Sequence, residues 1–131
     1  MLFSIEANQD WIEYTNAGHN PGLLVRATGT IERLESQGLP LALFPGTLPY
    51  GQGRIRMGKG DMLFLFTDGI TEAADEQGDE YGLERLEQLV GEARSLALPE
   101  LVRTLDHAMG LFVNNAPFGD DRTLLIIRKT A

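Results

Sequence analysis

The chain has 131 residues, of which 43% are hydrophobic and 23% are charged. This composition is close to that of average soluble globular proteins, and it excludes a disordered or fibrous chain. The length suits one compact domain. With 11 basic against 19 acidic side chains, the formal net charge of -8 has the wrong sign for binding nucleic acid through its phosphates.

The absence of cysteine excludes disulfides, thiolate metal sites and a cysteine nucleophile, and it suits a reducing compartment. No apolar stretch approaches the ~20 residues of a membrane span. The first residues also lack the basic region of a signal peptide. We therefore expect a cytoplasmic protein that makes no direct membrane contact.

The first part of the chain predicts two β-hairpins. Residues 2–6 and 11–15 flank a short polar break, and residues 23–26 and 30–34 flank a second break that contains Gly29. A glycine adopts the positive φ that a three-residue hairpin loop requires. The pattern is typical of antiparallel strands.

A long loop is predicted next, over residues 37–53, because this segment contains three prolines and several glycines. Apolar and basic residues then alternate over residues 54–57, which predicts a strand. Residues 62–66, Met-Leu-Phe-Leu-Phe, are five apolar residues in succession. Such a run predicts a strand that is covered on both faces.

The hydrophobic period then changes to that of a helix. Leucine, valine and alanine residues between Leu83 and Ala93 fall on one helical face, and a second amphipathic helix begins near Pro99 and extends to Phe112. Residues 124–127 predict a final buried strand. Strands, then helices, then a strand indicate an α+β domain, largely antiparallel and flanked by two amphipathic helices.

Acidic residues occur beside the two most apolar strands. Asp68 follows the strand at 62–66, and Asp120 and Asp121 precede the strand at 124–127. If these strands are antiparallel neighbours, the end of one and the start of the other meet at the same edge of the sheet. We therefore expect the carboxylates to converge there, rigidly held and partly dehydrated.

Converging carboxylates repel one another unless a cation lies between them. Oxygen ligands of this kind suit Mg²⁺ or Mn²⁺. Such an ion binds a phosphate and lowers the pKa of a bound water. Gly69 and Gly119, beside the acids, allow close approach of the backbone to a ligand.

Each of these residues also has a purely structural interpretation. An Asp-Gly pair after a strand is a common turn, and Asp120 and Asp121 could simply cap neighbouring amides. His19, in the sequence Asn-Ala-Gly-His-Asn-Pro, is by default a turn residue whose imidazole is satisfied locally.

Taken together, the segments resemble the C-terminal half of the PPM-type (protein phosphatase 2C-like) serine/threonine phosphatases, in the bacterial branch typified by stage II sporulation protein E. The resemblance covers nearly the whole chain. The segments that carry it are residues 14–21 (YTNAGHNP), 38–41 (GLPL), 60–73 (GDMLFLFTDGITEA), 81–86 (YGLERL) and 120–124 (DDRTL).

The resemblance implies a β-sandwich flanked by helices, with a two-metal Mn²⁺ or Mg²⁺ site that activates water against a phosphoserine or phosphothreonine ester. It implies that Asp68 and Asp120 are the catalytic metal ligands. Asp121 stands where other branches carry Asn, which implies a supporting role at the metals. Gly69 and His19 are expected to support the site, His19 because relatives outside this branch have an Asp there.

The family's first half carries a further Gly-Asp motif, whose Asp bridges both metals, and nothing before Asn16 supplies it. We therefore interpret residues 1–131 as the C-terminal part of a single PPM-type phosphatase domain. We expect the isolated chain to bind divalent cations weakly and to turn over little substrate. Missing strands leave sheet edges unpaired, which predicts self-association as a homodimer.

By the same resemblance the expected partner is a phosphorylated regulatory protein, typically an antagonist of an anti-sigma factor. One alternative is a phosphatase of the haloacid dehalogenase type, but its nucleophilic Asp would fall at Phe66. A second alternative is a non-catalytic binding or dimerisation module that keeps the fold and uses the 37–53 loop as a partner surface.

Overall fold

The computed structural model describes residues 1–5, 10–36, 38–41, 49–114, 116 and 119–131. Within these residues the strands are β1 (Leu2–Ile5), β2 (Trp11–Thr15), β3 (Gly22–Val25), β4 (Ile31–Leu34), β5 (Gly53–Arg56), β6 (Met62–Phe66) and β7 (Leu124–Arg128). The helices are α1 (Asp68–Thr71), α2 (Gly82–Glu92) and α3 (Leu98–Val113), with a 3-10 turn at Ala93–Ser95.

The strands form two antiparallel sheets, ordered β1-β2-β5 and β4-β3-β6-β7. Both predicted hairpins are confirmed, with Leu2 opposite Thr15 in the first and Val25 opposite Ile31 in the second. Gly29 has a φ of 101°, as its position in the second hairpin loop requires. Most of the polar break of the first hairpin lies outside the described residues, as do residues 37 and 42–48 of the predicted loop.

Strand β6 lies inside the four-stranded sheet, and its successive side chains enter two different cores. Phe64 and Phe66 pack into the cluster on the helical side of the sheet, whereas Leu63 packs into the cluster between the two sheets. The predicted cover on both faces is confirmed. Each fully buried side chain of this size contributes roughly 1.5–3 kcal/mol to folding.

The layers are therefore sheet, sheet and helices. The core between the sheets joins Ile12 of β2 with Leu24 of β3 and Leu63 of β6. The core on the other side of the four-stranded sheet joins that sheet with α2 and α3, through residues such as Leu86 and Leu105. The predicted α+β class, an antiparallel sandwich flanked by two amphipathic helices, is confirmed.

The ends of α3 follow directly from the sequence. Pro99 lies in its first turn, and Asn114 ends it in the left-handed conformation with a φ of 47°. Helix α1, directly after β6, was not predicted, because four residues are too few to show a helical period. None of the helices in the described ranges combines the length and apolarity that crossing a membrane demands.

Candidate functional site

Pairing of β6 with β7 brings the predicted acidic positions to one edge of the sheet. The two strands are antiparallel, with Met62 opposite Arg128 and Phe66 opposite Leu124. Asp68 follows the end of β6, and Asp120 precedes the start of β7. The strands are antiparallel neighbours, so the condition under which the acids were expected at a shared edge is met.

Gly69 is in direct contact with the segment that carries the other two acids. An ideal Cβ on Gly69 would lie 2.6 Å from the carbonyl oxygen of Asp121 and 3.4 Å from the carbonyl carbon of Asp120. Real Cβ atoms do not approach a backbone oxygen that closely, so only glycine permits this separation. The main chain at residues 68–69 and that at residues 120–121 thus form one surface.

The carboxylates of this surface are open to solvent. Asp68 Oδ1 accepts a hydrogen bond from Gly69 N at 3.0 Å, and Asp120 Oδ1 accepts one from Asp121 N at 2.7 Å. Asp68, Asp120 and Asp121 are all exposed. The expectation of partly dehydrated carboxylates is wrong, because all three side chains are exposed.

No group of three histidine, aspartate or glutamate side chains is arranged to hold a metal ion among the residues that the structure describes. The structure brings residues 68–69 and residues 120–121, here called the two acidic loops, into contact. Among the described residues it does not place three carboxylates around one common point. The donor set still fits Mg²⁺ or Mn²⁺, because exposed carboxylate oxygens are the ligands that these ions prefer. The metal-ligand roles of Asp68, Asp120 and Asp121 stay predictions.

His19 lies in a turn that is tied to the end of β6. Its Nδ1 is 3.0 Å from the carbonyl oxygen of Asn20, and Asn20 Nδ2 donates a hydrogen bond to the carbonyl oxygen of Phe66 at 3.1 Å. The exposed imidazole borders a cavity of about 170 Å³ that Thr67 and Thr123 also line. His19 therefore lies near Thr67 and Thr123, which adjoin the acidic positions, and its supporting role stays a prediction.

Asn16 holds the turn that contains His19, although no pattern in the sequence marks it as a functional residue. Its side chain is fully buried, its Oδ1 accepts from His19 N at 2.9 Å, and its Nδ2 donates to the carbonyl oxygens of His19 and Leu34. A buried amide that satisfies backbone groups in this way fixes a turn that has no ladder of its own. The available signal was its place at the end of a strand and the start of a turn.

A groove of about 420 Å³ runs beside the acids, between α3 and the start of β7. Its apolar wall includes Val102, Leu105 and Met109 of α3. Its polar rim includes Asp120 and Arg122, and Arg122 Nη1 donates to Asp106 Oδ1 at 3.4 Å. The acidic loops are thus bordered by a cleft large enough to receive a side chain.

The opposite end of β6 holds a carboxylate of another kind. Asp61 is 6% exposed, and it accepts hydrogen bonds from Ala27 N, Gly58 N and Arg26 Nη1 at 2.9, 2.9 and 2.8 Å. Burial, the largest single influence, acts to raise the pKa of Asp61, but the hydrogen bonds and the Arg26 charge together outweigh it and lower that pKa. Asp61 is satisfied within the fold and belongs to its framework.

Phe66 occupies the position at which a haloacid dehalogenase-type enzyme needs its nucleophile. The side chain is 4% exposed and packs in the core on the helical side of the sheet. The sheet is also antiparallel throughout the described strands. The haloacid dehalogenase alternative is therefore excluded, as the sequence already indicated.

Solved structures with the same arrangement of strands and helices are protein phosphatase 2C-type domains. The SiaA-PP2C domain of Pseudomonas aeruginosa superposes with a TM-score of 0.76 and 21% identity, over 92% of this chain and 47% of that one. The RsbU and RsbW domains of Rv1364c from Mycobacterium tuberculosis give a TM-score of 0.75 and 23% identity, over 98% of this chain and 35% of that one. The fold is that of the protein phosphatase 2C class.

Residues 1–130 match the family model of stage II sporulation protein E (SpoIIE). The chain belongs to this family, which confirms the resemblance found in the sequence. The "Phosphoserine phosphatase RsbU" of Bacillus subtilis (strain 168) is 34% identical over 133 residues, which cover 98% of this chain and 38% of RsbU. The chain therefore spans well under half the length of this relative.

Proposed function

We propose that this chain is the C-terminal, metal-binding part of a PPM-type phosphatase domain. In the parent protein, that domain hydrolyses phosphoserine or phosphothreonine esters with metal-activated water. The observation that carries the proposal is the contact of Gly69 with the backbone of Asp120 and Asp121, because it joins two acidic loops at one edge of the sheet. The 34% identity with a phosphoserine phosphatase supports the same reaction class.

In this proposal Asp68 and Asp120 hold the divalent cation, Mn²⁺ or Mg²⁺, and Asp121 supports the same site. A bound ion of this kind supplies a Lewis acid and lowers the pKa of a coordinated water. Gly69 keeps the two loops close enough to share a ligand. His19 supports the site from the turn that Asn20 ties to the end of β6.

The acids supply only part of the ligand set of a two-metal site. All three are exposed, and the described residues contain no group of three potential ligands arranged around one point. We therefore expect the isolated chain to bind divalent cations weakly and to be nearly inactive. The remaining ligands would come from the rest of the parent domain, since the chain covers 38% of RsbU.

The proposed substrate is a phosphorylated regulatory protein of a pathway that controls a sigma factor, for example in a stress response. The proposed location is the cytoplasm. Similarity to RsbU supports this class, as does a structural neighbour in which an RsbU domain and an RsbW domain occur together. The formal net charge of -8 disfavours nucleic acid as a substrate. Self-association as a homodimer remains a prediction.

Calorimetric titration of Mn²⁺ into the purified chain tests the proposed site. We expect weak heat of binding in the wild type and none in the Asp68→Asn, Asp120→Asn double variant. A matched control is the Asp79→Asn, Glu84→Gln variant, which removes the same charge from exposed positions elsewhere and should bind as the wild type does. Equal binding by all three proteins would contradict the proposal.

A phosphopeptide assay separates the proposal from the alternative of a binding module. We expect negligible Mn²⁺-dependent release of phosphate by the isolated chain, and release by the parent protein that is lost on Asp68→Asn. Robust turnover by the isolated chain would show that the site is complete as it stands. A parent protein that is inactive and takes up no Mn²⁺ would favour the non-catalytic binding module.

A further inference from the structure

We propose that Thr67 is a positioning residue whose hydroxyl holds the two acidic loops of the metal site in register. This inference rests on the proposed function, because the acids matter to catalysis only if they share a metal ion. Thr67 lies between the last residue of β6 and Asp68. It is neither a metal ligand nor an acid in the proposed site.

Three hydrogen bonds join Thr67 to the segment that follows Asp120. Thr67 N donates to the carbonyl oxygen of Thr123 at 3.0 Å, and Thr67 Oγ1 accepts from Thr123 N at 2.9 Å. The same hydroxyl donates to the carbonyl oxygen of Asp121 at 3.1 Å. We call this set of bonds the Thr67 clamp.

The clamp acts where the β ladder stops. The last paired residues of β6 and β7 are Phe66 and Leu124, and beyond them one backbone bond, from Thr67 N to the carbonyl oxygen of Thr123, continues the pairing. The hydroxyl of Thr67 continues the connection as far as Asp121, next to the proposed ligand Asp120. Without it, the backbone bond between Thr67 and Thr123 would remain, but the direct bond to the carbonyl oxygen of Asp121 would be lost.

Thr67 and Gly69 converge on the same atom. The carbonyl oxygen of Asp121 accepts the Thr67 hydroxyl hydrogen, and it also lies 2.6 Å from the position that a Cβ on Gly69 would occupy. The Thr67 side chain therefore fixes this carbonyl just beyond β6, while the lack of a side chain on Gly69 lets α1 approach it. This double contact sets the orientation of the Asp120–Asp121 main chain relative to Asp68.

The chemistry of a hydroxyl explains why threonine suits this position. A hydroxyl both donates and accepts, so a single atom satisfies a backbone N–H and a backbone carbonyl together. Valine has nearly the same shape and does neither. Partners that orient metal ligands typically change metal affinity by roughly 10- to 100-fold when they are removed.

Three variants isolate the hydroxyl. Thr67→Val keeps the shape and the backbone bond of the clamp but removes its two hydroxyl bonds, whereas Thr67→Ser keeps the hydroxyl. Thr71→Val is the matched control, because the hydrogen bond that Thr71 Oγ1 donates to the carbonyl oxygen of Asp68, at 3.2 Å, stays within α1 and does not reach β7. Thermal unfolding of each variant verifies that it is folded.

Broadening of amide signals by added Mn²⁺, in the ¹⁵N-labelled chain, reports binding even when it is weak. In the wild type we expect the amides of Gly69 and Asp121 to broaden together. In Thr67→Val we expect the Mn²⁺ concentration for half broadening to rise roughly 10- to 100-fold. Thr67→Ser and Thr71→Val should behave as the wild type does.

The outcomes separate this inference from the function on which it rests. Wild-type broadening at both loops that is unchanged in Thr67→Val would overturn the role of Thr67 and leave the metal site standing. The same loss in Thr67→Ser as in Thr67→Val would also overturn it, because the hydroxyl would then not be the cause. No broadening in the wild type would overturn the proposed metal site and this inference together.

Discussion

Strand β6 carries an aspartate near each end, and the two are held in opposite ways. Asp61, just before the strand, is 6% exposed and accepts hydrogen bonds from two backbone amides and from Arg26. Asp68, two residues after the strand, is exposed and accepts one from the amide of Gly69.

The difference shows that the carboxylate at one end of a strand can stabilise the fold while the carboxylate at the other end stays available to bind a ligand. A buried carboxylate whose partners are all within the protein stabilises the fold and has little capacity for a further ligand. A solvent-exposed carboxylate on a rigid element remains available to a cation. Burial and partners, rather than residue type, therefore separate the framework acid from the candidate site.

Substitution of the two acids by alanine gives the largest contrast. Asp61→Ala leaves the amides of Ala27 and Gly58 without their acceptor and removes one partner of Arg26, so we expect a loss of about 3 kcal/mol in the free energy of unfolding. Asp68→Ala should change that free energy by less than about 0.5 kcal/mol. Urea unfolding measures the free energy of unfolding of both variants. Equal losses in Asp61→Ala and Asp68→Ala would show that the two aspartates are not held differently.

Alanine at Gly69 should have the next largest effect, because the new Cβ would meet the backbone of Asp121 at 2.6 Å. Forcing these loops apart should cost about 1–3 kcal/mol. Gly110→Ala is the control, because a Cβ added at this position in α3 would meet no atom within 4 Å. Alanine there should stabilise the chain by about 0.5–1 kcal/mol, since it favours the helix more than glycine does. In urea unfolding, we expect the free energy of unfolding to fall in Gly69→Ala and to rise in Gly110→Ala. An unchanged free energy in Gly69→Ala would contradict the close contact between Gly69 and Asp121.

Low pH should gradually reduce the contribution of Asp61 to the free energy of unfolding, by less than the substitutions above do. The folded pKa of Asp61 lies below its usual value of about 3.9, so its contribution is fully present above that pH and is lost as the pH falls through the lowered pKa. Stability measured by urea unfolding between about pH 6 and pH 2 should therefore fall less steeply in Asp61→Asn than in the wild type. Parallel curves for the two proteins would contradict this assignment.

Much of the fold follows from local patterns in the sequence. Gly29 marks the second hairpin loop, Pro99 the first turn of α3, and the apolar run at 62–66 a strand buried on both faces. The antiparallel pairing of β6 with β7 was a condition of the sequence argument, and the structure meets it, which puts Asp68 and Asp120 at one edge. Elements with a clear hydrophobic period or a characteristic turn residue could therefore be predicted from the sequence.

The details of the site were not readable, because they depend on contacts between distant residues. The hydrogen bond from Thr67 to Asp121 spans 54 residues, and no local pattern indicates it. Helix α1 is too short for a period, and the exposure of the acids depends on what packs around them. The buried state of Asp61 likewise required knowledge that Arg26 lies beside it.

The central claim is that the loops after β6 and before β7 share a divalent cation. Crystals of the chain soaked in Mn²⁺ and measured at the manganese absorption edge test it most directly. We predict an anomalous difference peak in contact with carboxylate oxygens of both Asp68 and Asp120. A peak bound elsewhere, or none while the two carboxylates stay apart, would contradict the account.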